Sequence, residues 1–207
     1  DTGAWTTLSG EIPAYMDSDG LLRYFPIDQL RGSEALTAYV LSMTAEAGWT
    51  VPDEAKQKML AAMKSVLDGR LTRETLWGGD ARLLRISALA ALARNGASSP
   101  AMLGSINLAP ADMPTSALTD WIVAIDRTKG ANTALRETAE RTLRQRIVYE
   151  GSRLDLADAS NAPWWMMSSG DEMSIKALVA VLGRPGWSDE GPKMMVGNAL
   201  RQRRGHW

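Results

Sequence analysis

The sequence predicts an all-α fold of helical hairpins in two layers, an α/α toroid, and three observations predict it. Apolar residues recur three and four apart in segment after segment, the period of a helix with one buried face. Helix starts at Ser33, Pro52, Asp80 and Ser99-Pro100, and stops at Gly48 and Asn95-Gly96, punctuate those segments. An apolar helix is followed by a more polar one four times over, the apolar members beginning near Ser33, Asp80, Thr115 and Asp171. An apolar helix must be covered on nearly all sides, while an amphipathic one needs cover on one face. Apolar helices inside and amphipathic ones outside satisfy both needs. Bent into a ring, that arrangement is a toroid; left open, it is a solenoid. The irregular spacing sets it apart from a tight tetratricopeptide-type array.

Residues 1–32, rich in Gly, Pro and Asp, read as a loop and short hairpin leading into the helices of 33–207. Within them "DSDGLLRYFP" (Asp17 to Pro26) resembles the start of a calcium loop. With Gly20 at loop position 6, however, positions 1 and 12 fall on Tyr15 and Pro26, which are poor calcium ligands. A turn at Ser18-Asp19-Gly20 entering an extended Leu21–Phe25 is the better reading.

"SEALTAYVLSMTAEAG" is the first apolar helix, with Leu36, Tyr39, Val40 and Met43 on one face. "PDEAKQKMLAAMKSVLDG" is its partner, with Asp53 and Glu54 in the first turn, where the helix dipole favours acids. It should bury Met59, Leu60, Met63, Val66 and Leu67. "DARLLRISALAALARNG" and "SSPAMLGSI" form the second pair. "PTSALTDWIVAIDRTKG" and "NTALRETAERTLRQRIVYEG" form the third, the latter with Leu135, Ala139, Leu143 and Ile147 as its buried stripe. "GDEMSIKALVAVLG" and "GPKMMVGNALRQRRG" close the series. Leu84, Leu89, Trp121, Ile122, Ile175, Leu178 and Val179 are expected in the core.

Two aromatic connections, "TLWGGD" at 75–80 and "NAPWWMMSSGDE" at 161–172, enter apolar helices. Trp164 and Trp165 are expected to pack their loop onto the end of the layer, at least one of them largely buried. The alternative is that they line a pocket at the mouth.

Composition narrows the function. The 207 residues carry a net charge of −1, which gives no electrostatic case for nucleic acid or an anionic membrane. There is no cysteine, hence no disulfide, thiolate metal site or cysteine nucleophile. Eight tryptophans and eleven methionines read as helix-packing core. The single histidine, His206, stands near Arg201, Arg203 and Arg204, with Arg184 further off, and reads as a surface residue. Asp189/Glu190, like Asp53/Glu54, lies at a helix start. Asp155 and Asp158 are candidates for the paired carboxylates of a toroid glycosidase, with a solvated turn as the plainer reading. No phosphate loop, nucleophile elbow or dinucleotide fingerprint is present. The residues thus assign no catalytic, cofactor-binding or metal-ligating position, and no cofactor.

The stretches "IPAYMDSDGLLRYFP" and "RGSEALTAYVLSMTAEAGWTVPDEAKQKML" resemble the thioester domain of bacterial alpha-2-macroglobulin-like proteins. "DGLLRYFP" is similar to that family's Gly-rich hairpin, and Leu36 to Val40 to its "LTAYV" helix. "MPTSALTDWIVAI" (Met113 to Ile125) and "GHW" (Gly205 to Trp207) are similar to later parts of the domain.

The resemblance implies one domain over 1–207 in a periplasmic, often lipoprotein-anchored inhibitor that entraps proteases. It implies as partners the trapped proteases and other domains of the same parent chain. In the family, a protease cleaves a bait region and exposes a Cys-Gln thioester from a Cys-x-Glu-Gln motif upstream of the hairpin. A surface amine of the protease then attacks it. With no cysteine here, no reactive residue carries over. A closed toroid of this kind has six hairpins, and four are countable, which implies further helices on both sides of a non-catalytic fragment. Two other readings stay open. One is an α/α-toroid glycosidase or polysaccharide lyase using Trp77, Trp164, Trp165 and Asp171. The other is a helical protein-interaction scaffold.

Overall fold

In a computed structural model, residues 2–73, 80–150 and 153–203 are described. Helix α1 spans Thr2–Glu11, α2 Glu34–Ala47, α3 Asp53–Leu67, α4 Ala81–Arg94 and α5 Pro100–Gly104. Next come α6 (Thr115–Arg127), α7 (Thr133–Gln145), strands β1 (Ile147–Glu150) and β2 (Arg153–Leu156), α8 (Gly170–Val181) and α9 (Glu190–Arg203). The helix boundaries follow local chemistry. Ser33 Oγ accepts from the Leu36 N–H to cap α2, which Gly48 ends at φ +67°. Asp80, Asn132 and Ser169 cap α4, α7 and α8 in the same way.

The apolar helices α2, α4, α6 and α8 pack side by side in that order as an inner row. Against it lie α3, on α2 and α4, then α7, on α6, and α9, on α8. The two layers expected from the apolar–polar alternation are therefore present. Ile86, Leu89, Leu92, Leu118 and Ile122 are fully buried between them, and the five α3 residues named above are buried as well. The row also buries threonines and serines. Thr37, Thr44, Thr119 and Thr128 each donate to a carbonyl three or four residues back, so their hydroxyls are satisfied within their own helix.

A chain of charges ties the row together. Arg94 on α4, its side chain 4% exposed, bridges Glu46 on α2 (3.0 Å) and Asp120 on α6 (3.1 Å). Lys176 on α8 lies 3.9 Å from Asp120 and 2.7 Å from Glu172. All four inner helices thus contribute to one run of alternating sign.

Several expectations are corrected. Residues 2–11 form a helix, not a loop. Its Gly- and Thr-rich sequence has little intrinsic propensity, and Trp5 docks it by stacking on Trp49 and donating to the Thr50 carbonyl. The hairpin near Leu21–Phe25 shrinks to one bridge, Met16 with Leu22, and Leu22 then bridges Ser33.

A two-stranded antiparallel sheet stands instead at 147–156, where a helix end was expected. α7 stops at Gln145 because Arg146 is held by Thr115 Oγ1 and by the carbonyls of Pro110 and Ala111. β2 then buries Leu154 and Leu156 and packs on α9. Gly197 permits this, since a Cβ there would meet the Leu154 carbonyl at 2.5 Å. Leu135 is exposed. On α2 the predicted stripe is only half-buried, and among its apolar residues Ala35, Ala38 and Leu41 go deepest. Leu84, Leu89, Trp121 and Ile122 are buried as expected. Leu178 is half-buried, and Ile175 and Val179 face outward.

Candidate functional site

The site begins with Asp17. One carboxylate oxygen accepts from the backbone N–H groups of Asp19 and Leu21, both at 2.9 Å. The other accepts from Gly32 N–H (2.9 Å) and Arg73 Nη2 (2.8 Å). This is an aspartate turn, with Gly20 at φ +84° closing it against the Lys58 carbonyl. The apparent calcium loop is therefore a backbone clamp whose lead carboxylate spends both oxygens on protein donors. Arg73 reaches Asp19 as well (2.6 Å), and its backbone N–H donates to Glu34 at 2.8 Å. Gly32 is pressed between Leu21 and Asp17, where a Cβ would come within 2.4 Å of the Leu21 Cβ.

The clamp holds the segment 23–32 over the start of α2, and beside it lies a cavity of about 640 Å³. Its wall comes from the starts of two inner helices (Ser33, Glu34 and Ala35 on α2, Leu84 on α4) and from the loop entering α8 (Trp164, Trp165, Met167). Tyr24, Leu30, Arg31 and Arg73 complete the lining with Gln29 and Gly32. Trp164 is 62% exposed and Tyr24 49%, and Phe25, Ile27 and Leu30 nearby are exposed as well. The mouth is thus a rim of aromatic and aliphatic side chains. Met167 turns the loop there with a positive φ of 59°, the one non-glycine case among the described residues.

The tryptophan loop therefore lines a pocket, the reading the sequence ranked second. Trp164 is exposed, and Trp165 is partly buried against the core. Pro163 and the short 3₁₀ turn Trp164–Met166 send successive side chains to different sides, so only Met166 is buried there. Trp77 and His206 lie outside the described residues. Asp171 sits in the first turn of α8 and is not part of the wall.

Asp158 and Asp155 are not brought to the cavity either. Asp158 accepts from the backbone N–H and the hydroxyl of Thr115 (3.0 and 2.7 Å), fixing the start of α6. Asp155 lies in β2 opposite Val148. Asp53, Glu54 and Glu190 lie in the first turns of α3 and α9, and acids there also find ion-pair partners. Glu54 pairs with Lys58, Asp189 with Lys193 and Glu190 with Arg144. The candidate residue that sequence reading passed over is Glu34, in the first turn of α2. It is buried and is the carboxylate among the described lining residues. A glycosidase needs two flanking the bond. Chemically, the cavity offers stacking surfaces and a few hydrogen-bonding groups, and its described lining residues include no nucleophile–base pair.

Compared with protein-family models and with curated protein sequences, the chain matches none. Among solved structures it is similar to "native alpha-2-macroglobulin from Escherichia coli spanning the residues from domain MG7 to the C-terminus". The TM-score is 0.69 and the identity 16%, over 94% of this chain and 30% of that one. The chain shares the fold of part of that alpha-2-macroglobulin. At such identity the likeness speaks to fold, and it covers under a third of the larger protein. No helix among the described residues is long and apolar enough to cross a membrane.

Proposed function

We propose that these residues belong to the thioester-type helical domain of a bacterial alpha-2-macroglobulin-like inhibitor. The parent protein would entrap proteases in the periplasm, and this segment would act as a non-catalytic scaffold. The observation that carries the reading is the likeness of 94% of the chain to one segment of a bacterial alpha-2-macroglobulin. The sequence resemblance of "DGLLRYFP" and "LTAYV" points independently to the same domain. The hairpin of the family corresponds here to the Asp17 clamp, which positions the start of α2 and the cavity mouth.

The test is entrapment by the parent polypeptide. A protease mixed with it should keep its activity on a small peptide substrate and lose it on a large protein substrate. Equal inhibition of both, or of neither, would overturn the proposal. The thioester has its own signature, a Cys-x-Glu-Gln motif in the parent, whose glutamine should take up methylamine.

One observation favours a second reading, carbohydrate binding at the cavity: Trp164 and Tyr24 stand exposed beside Gln29, Arg31 and Glu34. A saturable shift in tryptophan fluorescence with oligosaccharides, abolished by Trp164→Ala, would bring that reading forward.

A further inference from the structure

Charge is distributed unevenly over the wall of the cavity. Arg73 is neutralised within the clamp, where its Nη2 donates to Asp17 at 2.8 Å and to Asp19 at 2.6 Å. The other two charged lining residues are Glu34 and Arg31, and among the described residues neither forms an ion pair. Glu34 is 7% exposed, and its carboxylate accepts from the backbone N–H of Arg73 at 2.8 Å. Arg31 is exposed on the segment 23–32. Arg73 adds a spare donor, because its Nε is buried without an acceptor among the described residues. Much of the remaining wall is apolar, with Leu84 beside the exposed rings of Tyr24 and Trp164.

We propose that the cavity binds a short zwitterionic peptide, on the scale of a dipeptide, with an aromatic or large aliphatic side chain. Its ammonium group pairs with Glu34 and its carboxylate with Arg31. Its peptide carbonyl accepts from Arg73 Nε, and its side chain stacks on Trp164. The class of ligand follows from the charges. A ligand that excludes water from a buried carboxylate without bringing a cation leaves that charge uncompensated, which is costly. An ammonium group removes the cost. Arg31 stands in water and gains less from a partner. A neutral sugar could stack on the same rings, yet it would leave both charges unpaired. The volume of about 640 Å³ lies within the range of roughly 300–1,000 Å³ usual for small-ligand sites. This site is independent of the entrapment reading: a parent that traps no protease leaves it standing, and its failure leaves entrapment standing.

The experiment is calorimetric titration of the 207-residue chain with the dipeptide phenylalanyl-leucine, with its N-acetyl form and with its C-terminal amide. The three ligands share both side chains and the peptide group and differ in their end charges. The free dipeptide should bind most tightly. Acetylation should weaken binding about tenfold or more, because it removes the cation that faces a buried acid. Amidation should weaken it about threefold, because Arg31 is exposed. Glu34→Gln keeps an acceptor for the Arg73 N–H and should erase the difference between the free and acetylated forms. Arg31→Ala, at an exposed position, should erase the difference between the free and amidated forms. Trp164→Ala should weaken all three alike, by about threefold to tenfold.

Equal affinities for the three forms would overturn the proposal. So would a dipeptide that shows no binding at millimolar concentration, by heat or by tryptophan fluorescence. Saturable binding of a maltooligosaccharide in place of the dipeptide would overturn it too, and would give the cavity to carbohydrate. Should Glu34→Gln fail to fold, the ligand series on the natural sequence and on Arg31→Ala decides.

Discussion

Asp17 joins parts of the chain that are far apart in sequence. It gathers three backbone N–H groups and Arg73 on one side chain that is 8% exposed. Asp17→Ala would leave those donors and the arginine without their acceptor. We expect it to cost about 3 kcal/mol in urea-unfolding free energy, a larger loss than Asp19→Ala, whose carboxylate is half-exposed. Gly32→Ala should be destabilising by about 1–3 kcal/mol for a different reason, because its Cβ would collide with Leu21 and Asp17. Trp164→Ala should leave unfolding within about 0.5 kcal/mol of the parent sequence, since the ring is mostly in water. A large loss there would mean that the tryptophan staples the loop after all.

Among the helices, α6 and α8 were both read as apolar inner members and differ in what covers them. α6 is enclosed, so Ile122→Ala should cost about 2–5 kcal/mol. Val179→Ala on α8 should stay within about 0.5 kcal/mol in the 207-residue chain, with thermal or denaturant melts as the measurement.

The two helices are also joined by charge. Burial alone would pull the Lys176 ammonium down. Asp120 and Glu172 outweigh that effect and hold it above the ordinary lysine value of 10.5. Because the folded value lies above the unfolded one, this contribution is fully present below pH 10.5 and drains away as the pH climbs through the folded value. Stability measured across that alkaline window should fall in the parent sequence. In Lys176→Met the corresponding part of the fall should disappear. Identical alkaline profiles would mean that the ion chain carries no such linkage.

The whole molecule is two layers of helices whose cavity gathers the starts of inner helices and the loop before α8. Since the chain holds no cysteine, it cannot form a thioester by itself. Incubation with methylamine or a protease should therefore leave its mass unchanged, and a stable gain at a glutamine would contradict the proposed division of labour. A longer polypeptide that covers the outward-facing Ile175 and Val179 of α8 should melt higher than the 207-residue chain. Each large aliphatic side chain taken out of water contributes roughly 1.5–3 kcal/mol.

Where the inner helices begin, and that there are two layers, is written in the chain's local chemistry. Ser33, Asp80 and Gly48 act through hydrogen bonds and backbone angles within a few residues of themselves, and the apolar–polar alternation states how much cover each helix needs. The sequence also placed Asp53 and Glu54 at a helix start, where the pairing of Glu54 with Lys58 is equally local. Other features depend on groups far apart in the chain and emerge with the packing. α1 exists because Trp5 finds Trp49 across 44 residues, not because its own glycines and threonines favour a helix. β1 and β2 exist because Arg146 is captured by the loop before α6 and because Gly197 lets α9 come down on Leu154. The outward turn of Ile175 and Val179 could not be read from their apolarity, which states that a side chain prefers cover and not whether a neighbour is there to give it. For the same reason the sequence offered a pocket at the tryptophan loop only as an alternative, without its other walls. Glu34, Arg73 and Trp164 come from three separated segments, and only the packing of the inner row brings them to one wall.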